Sequence, residues 1–376
     1  MVEVREVRTP RERKEFIDFP LKLYKGCQYF VPPLYMDERN LFGSKNIYND
    51  CCDAVYYNAY RDGKIVGRIM GVIQRACNEK NNEKRVRFGR FDSIDDQEVA
   101  DALFSAVEQW AMAKGMDTMH GPLGFSDLER EGLLIDGFDQ LSTFEEQYSY
   151  PYYQKLIENR GFVKEVDWNE SRLYLPDNAD EELADLDKLA KFVMKRYKLR
   201  IGEARNVDDF IKRYADGLFE LIDKSYDLLY GTVPFTPAMK KQMIDSFRFI
   251  VDLRYVAVIL DENDRMVCFG ICFPNISDAV RASNGRISPR MLMKFFKAKR
   301  NPRVIDLGLV GVDPEYLNRG ISVIITAELM RMLRSGGIKY AETNSNLEDN
   351  YSIQNQWKRF KRVIHKRRRA YVKKLV

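Results

Sequence analysis

The sequence predicts an α/β protein of two tandem domains, each a mixed, twisted sheet flanked by helices. Three observations predict it. The chain has 376 residues, a length that favours two domains. Strand-like and helix-like apolar patterns follow one another in the same order in its two halves. Each half also carries a hairpin signal with aspartate in its turn, Arg61-Asp62-Gly63-Lys64 and Asp261-Glu262-Asn263-Asp264.

In the first half, Val2–Val7 alternates like an edge strand and Arg11–Tyr24 has helical spacing. Ala54–Tyr60 and Ile65–Ile73 flank the first hairpin turn, and Val86–Ile94 is a further strand. Asp95, with Glu98 three residues on, resembles a capping box. The helix that follows aligns Val99, Leu103, Ala106, Trp110 and Ala113, and Gly115 stops it. Asp117–Gly121 is a short strand, Tyr152–Arg160 a helix, and Ser171–Leu175 a last strand. The second half runs likewise: a strand at Leu199–Glu203, helices at Val207–Leu229 and Pro237–Phe249, and hairpin strands Tyr255–Leu260 and Met266–Phe273. Then come a strand Val304–Val312, a helix from Ile321 to the pair Gly336-Gly337, a strand Ile338–Thr343, a helix Tyr351–Phe360 and a strand Arg369–Leu375. Leu-Pro-Asp-Asn-Ala punctuates the middle, so the expected domains are 1–176 and 177–376.

With 45% hydrophobic and 31% charged residues, the chain has apolar material for two cores, which argues against disorder. No apolar run reaches the roughly 18 residues that span a bilayer, so an integral membrane protein is excluded. Met1–Arg5 begins a strand and lacks a signal-peptide layout. The six cysteines form no Cys-x-x-Cys pair, and His120 and His365 are the only histidines. Neither histidine has a metal-ligand partner in sequence, and His120 reads as a strand-end packing residue. No metal is expected, and a reducing, cytoplasmic location is. A net charge of +5 is too mild to indicate nucleic acid. It is uneven, however. Lys358–Lys374 is basic without a carboxylate and reads first as a solvated hairpin and next as a contact for cofactor phosphates or an acidic acceptor, with nucleic acid, aminoacyl-tRNA or an anionic membrane surface as weaker alternatives. Ile287–Arg303 reads as an amphipathic basic helix covering a sheet; its alternative is a lipid- or acyl-chain-facing surface.

The most informative stretch is Val310 to Ser322. An apolar strand breaks at Asp313-Pro314, makes a loop with Gly320, and feeds a helix N-terminus, where free N–H groups and the helix dipole suit a phosphate. In the first half the same place holds Asp92, Asp95 and Asp96 and no glycine, which would repel a pyrophosphate. The element order, with Val312-Asp313-Pro314 followed by Leu317-Asn318-Arg319-Gly320-Ile321-Ser322, resembles the GNAT acyltransferase superfamily. Leu317 stands where that family usually has Gln or Arg, and Ser322 where it has a second small residue. The resemblance implies a degenerate N-terminal domain and a C-terminal one that takes acetyl-CoA or another acyl-CoA as co-substrate. Asn318, Arg319, Gly320, Ile321 and Ser322 would cradle the pyrophosphate, and the backbone of Val310 and Val312 would orient the cofactor and stabilise an oxyanion.

Acyl transfer to an amine also needs a base, for which Asp306 and Glu342 are the candidates, and an acid for the departing thiolate. The family's tyrosine at that point falls on Asn355 here, and Tyr351, one turn earlier, serves only if the helix is shifted. The polar run through Asn344, Asn346, Glu348 and Asn350 is placed to meet a substrate amine, and Asn346 or Asn350 equally suits a helix N-cap. The expectation is an N-acyltransferase acting on a small-molecule, amino-acid or peptide amine. Its rival is a non-catalytic scaffold of the same fold that binds a ligand or a protein.

Overall fold

The computed structural model describes residues 1–227, 229–335 and 337–375. Leu228, inside the expected helix Val207–Leu229, and Gly336, in the expected helix stop, lie outside the described residues. The chain forms two compact units, the first being Met1–Asn169, Ser277–Met293 and His365–Val376, and the second Glu170–Ile276 and Lys294–Ile364.

In the first unit the strands Glu3–Glu6, Cys52–Arg61, Lys64–Gln74, Arg85–Ser93 and Thr118–Gly121 lie side by side in chain order. The Asp-Gly hairpin forms as the turn chemistry requires, with Asp62 and Gly63 both at positive φ. Helix Gln97–Ala113 buries Val99, Leu103 and Val107 against Phe88 and Phe91. It approaches closely because Gly67 and Gly71 leave room: a Cβ there would lie 2.8 Å from Leu103 and 2.7 Å from Val107. Its N-cap is Asp96, one residue later than expected, because the Asp96 carboxylate reaches the N–H groups of Glu98 and Val99.

In the second unit the order is the end of Val163–Tyr174, then Tyr340–Thr343, Val304–Val312, Met266–Pro274, Val256–Leu260 and Arg200–Ile201. Val304–Val312 pairs parallel with Tyr340–Thr343 and antiparallel with Met266–Pro274, so the sheet is mixed. Helices Ala179–Arg196 and Ser322–Arg334 bring Leu183, Leu186, Ala327 and Met330 onto Ile305 and Ala341. Helix Val207–Tyr226 brings Phe210, Leu218 and Ile222 onto Val258, Phe269 and Ile271. The sequence reading omitted Ala179–Arg196. Its apolar stripe of Leu183, Leu186, Ala190 and Val193 is one residue wide per turn in a charged segment.

Two strands are much longer than expected, Val163–Tyr174 and Lys361–Lys374. Their extra residues are charged, and pairing hides that charge from the alternation rule. In the first unit the Arg369 guanidinium donates to both oxygens of Asp167, at 2.8 and 3.0 Å. These strands also exchange partners. Leu173, late in the first half, pairs with Ala341, whereas Tyr371–Lys374, at the chain's end, pair with Thr118–Gly121.

Candidate active site

The centre of the second unit is the strand Val304–Val312. Its parallel register with the next strand runs from Val304↔Tyr340 to Leu307↔Thr343 and ends there, so the strands part beyond Leu307. Asp306 and Glu342 are register partners just before the opening, both buried. The Asn275 amide donates to both carboxylate oxygens of Asp306, at 2.8 and 3.0 Å. Glu342 faces the Arg172 guanidinium at 3.7 Å, and carboxylate oxygens of Glu170 and Glu342 come within 4.8 Å. Three carboxylates are thus gathered at one place, held by an amide and a guanidinium. Nearby, burial, with Asp306 beside it, pushes the Cys272 thiol up to about 12.

Past the opening, the Val310 backbone turns to a side chain. The Tyr226 hydroxyl donates to the Val310 carbonyl at 3.0 Å and accepts from its N–H at 3.3 Å. Both groups of one residue point to one edge of a strand, and Val310 sits opposite Gly270 on the other side. They therefore address the opened edge. Gly308 and Gly311 carry the rings of Phe273 and Phe269 across them, since a Cβ would meet those rings at 2.0 and 2.4 Å.

At the strand's end Asp313 is buried and accepts from the Glu315 N–H at 2.9 Å, while Arg265 reaches Asp313 at 3.5 Å and Glu315 at 3.0 Å. Asn318 and Gly320 then take positive φ of 66° and 73°. Helix Ser322–Arg334 starts with no side-chain cap and no carboxylate in its first turn. A Cβ at Gly320 would meet only Val193, at 3.7 Å. The Arg319 guanidinium lies over the Tyr316 and Tyr197 rings, at 4.8 and 5.6 Å, which fixes a cation beside the loop. An exposed turn with an uncapped helix end and a stacked arginine fits a diphosphate.

Comparison with solved structures decides the fold. A tandem GNAT protein from the clavulanic acid biosynthesis pathway superposes with a TM-score of 0.55 over 100% of this chain and 99% of its own, at 12% identity. This chain has the tandem GNAT fold. A GCN5-related glucosamine N-acetyltransferase region of a fungal multi-domain β-N-acetylglucosaminidase aligns with a TM-score of 0.54 and 13% identity, over 99% of this chain and 38% of that one. By sequence, the chain is 29% identical to Protein YghO of Escherichia coli (strain K12), over 99% of itself and 95% of that protein. It is 28% identical to the bacterial ceramide synthase of Caulobacter vibrioides, over 82% of itself and 80% of that enzyme. No family model matches.

The two GNAT-like units differ where a cofactor would enter. In the first, Asp96 caps the helix and pairs with Arg61 at 2.7 Å. Asp92 is buried against Arg68 at 2.8 Å and accepts from the Tyr24 hydroxyl at 3.1 Å. The strand edge is met by the chain itself: the Leu123 N–H donates to the Phe88 carbonyl at 2.8 Å, and a Cβ on Gly89 would strike the Leu123 carbonyl at 2.3 Å. His120 is buried beside Arg85 at 3.2 Å, and burial lowers its pKa to about 4.

Two of the expected acceptor residues hold structural posts in the second unit through their side chains, and a third through its backbone. Asn350 caps the helix Tyr351–Gln356, the Asn346 side chain accepts from the Trp357 indole at 3.1 Å, and the Glu348 carbonyl accepts from Gln354 at 2.9 Å. Asn344 is half-buried, and Tyr351 is exposed on the first turn. Sequence reasoning missed Glu170, Arg172, Asn275 and Tyr226. Glu170 lies just before the strand as read from Ser171, Arg172 lies on that strand but meets Glu342 only through strand pairing, and Tyr226 reaches the site only through the packing of its helix.

Proposed function

We propose that the chain is an acyl-CoA-dependent N-acyltransferase working in the cytoplasm through its second unit, and that its acceptor is the primary amine of a long-chain amino lipid. The observation that carries the reading is the strand Val304–Val312, which joins buried Asp306 and Glu342 to an opened edge and an uncapped helix end. The kinship to a ceramide synthase over 82% of the chain narrows the acceptor, because a ceramide is the N-acyl amide of a long-chain amino alcohol. In this reading Asn318, Arg319, Gly320, Ile321 and Ser322 hold the pyrophosphate, and Val310 and Val312 align the acyl arm.

The reaction joins the amine nitrogen to the thioester carbon and breaks the carbon–sulfur bond. Glu342 or Asp306 takes the proton that the amine loses, and the thiolate gains one. Tyr226 is the donor we assign, because its hydroxyl stands on the opened edge and the family's usual tyrosine position falls on Asn355 in this sequence.

The test is amide formation, read by mass spectrometry, from acyl-CoAs of several chain lengths with sphinganine, a short amino alcohol, an amino acid or a peptide as acceptor. Sphinganine should be acylated fastest. Asp306→Asn or Glu342→Gln should lower kcat by about 10²–10⁴-fold with little change in KM, and Tyr226→Phe should lower kcat at an unchanged thermal midpoint. A chain that neither binds nor turns over any acyl-CoA would be the scaffold instead.

A further inference from the structure

One helix carries an excess of charge and apolar surface that the fold leaves unused. Between Asp278 and Asp306 the sequence holds no carboxylate but eight cations: Arg281, Arg286, Arg290, Lys294, Lys297, Lys299, Arg300 and Arg303. Three have partners. Arg281 pairs with Asp278 at 3.1 Å, Arg286 with Asp18 at 3.3 Å, and Lys299 donates to the Phe249 carbonyl at 2.9 Å. Among the described residues, Arg290, Lys294, Lys297 and Arg300 make no ion pair, although most arginines elsewhere do.

These four lie on the helix Pro289–Arg300. Its inner face is ordinary: Met291 and Phe295, one turn apart, are 4% and 1% exposed, and Phe295 stacks on Phe249 at 4.6 Å. That face packs against the helix Pro237–Ile250. The outer face is not ordinary, because Met293 and Phe296 are 68% and 58% exposed, and Ile287, just before the helix, is 69% exposed. At 100° per residue Met293 and Phe296 fall opposite Met291 and Phe295, interleaved with Arg290, Lys297 and Arg300. A helix that only covers a sheet needs one apolar stripe, and this one has two.

We propose that the outward face of the helix Pro289–Arg300 docks on an anionic membrane surface. Unpaired cations around a small apolar centre are the pattern of an interfacial helix, in which apolar side chains enter the acyl boundary and the cations meet lipid phosphates. Charge complementarity selects the occupant. A nucleic acid would use the cations and leave Met293 and Phe296 in water, whereas an anionic bilayer uses both. No helix among the described residues is long and apolar enough to cross a membrane, so the attachment is peripheral. The proposal stands whether or not the second unit transfers acyl groups.

The test is sedimentation of the full chain with phosphatidylcholine vesicles, with and without phosphatidylglycerol. Binding is expected only with phosphatidylglycerol and should weaken as salt shortens the Debye length. Lys294→Gln with Lys297→Gln and Arg300→Gln should cut the partition about a hundredfold. Met293→Asp with Phe296→Asp should cut it at least about tenfold, at an unchanged thermal midpoint. Phe296→Trp should keep binding and shift its fluorescence to the blue on vesicles, which reads insertion without relying on the acidic variant folding. Absence of binding to either vesicle overturns the proposal. So does a blue shift that fails to appear, or loss of binding in the charge variant alone, which marks adhesion to any polyanion. RNA that strips the chain from vesicles while Met293→Asp with Phe296→Asp binds RNA normally also overturns it, in favour of nucleic acid.

Discussion

In the proposed function, Gly320 is the residue on which cofactor binding turns, for two separable reasons. Its φ of 73° costs an ordinary side chain roughly 1–2 kcal/mol, which asparagine largely avoids. Its surroundings are open, because only Val193 lies near the place of a Cβ. Bulk is therefore tolerated there and charge is the sensitive variable, since the uncapped N–H groups of Ser322–Arg334 and the stacked Arg319 make the spot positive. Gly320→Asn should lose little stability and keep its thermal shift with acyl-CoA, about 2.7 kcal/mol of stabilisation at 100 times the dissociation constant. Gly320→Glu should melt below Gly320→Asn without ligand, by that roughly 1–2 kcal/mol, and show no shift with it. Equal shifts in the two variants would remove the phosphate from this loop. Tyr226 makes the complementary point about reach. A single hydroxyl engages both backbone groups of Val310, so those groups are hydrogen-bonded without a neighbouring strand.

At the scale of elements, the strand Val304–Val312 shapes the site by what its glycines omit. The ring of Phe273 lies where a Gly308 side chain would stand, and neither β-strand backbone can yield without losing its register. Gly308→Ala should destabilise the chain by about 1–3 kcal/mol through overpacking, read as a lower urea midpoint at unchanged slope. An unchanged midpoint would mean that Phe273 swings aside freely. The strand itself was legible in the sequence with its bounds intact, because it is a mainly apolar run that Asp313-Pro314 ends. The helix Ser322–Arg334 was legible for the same local reasons. The helix Ala179–Arg196 was not, its charged residues outvoting a thin apolar stripe. Nor was the site's polar apparatus. Asp306 and Glu342 could be picked as carboxylates on adjacent strands, but Asn275, Arg172 and Tyr226 are brought to them by pairing and packing between distant segments. The polar run from Asn344 to Asn350 looked like a recognition loop, and Asn346 and Asn350 hold an indole and a helix end, as their chemistry equally allows.

At the scale of the whole molecule, the repeat in element order hides an exchange. A simple tandem would close each half with its own last strand. Instead, Leu173 of the first half pairs in the second unit, and the terminal strand from His365 onward is part of the first. That strand is no ornament: Tyr371 and Ala370 are fully buried in the first unit, and Arg368 is buried there against Glu146 at 3.0 Å. A fragment 1–176 lacks them, leaving the Thr118–Gly121 edge unpaired and a buried glutamate without its arginine. A fragment 177–376 lacks Leu173 beside Ala341 and Arg172 beside Glu342. Cutting at Pro176–Asp177 therefore breaks one peptide bond yet deprives each product of a core element. Expressed alone, neither fragment should give a cooperative thermal transition, and both should aggregate. Expressed together, each supplies the strand the other lacks, and they should copurify in equal amounts with one transition. If 1–176 instead melts sharply by itself, the terminal strand is an accessory to a domain complete without it, and the exchange has no part in its stability.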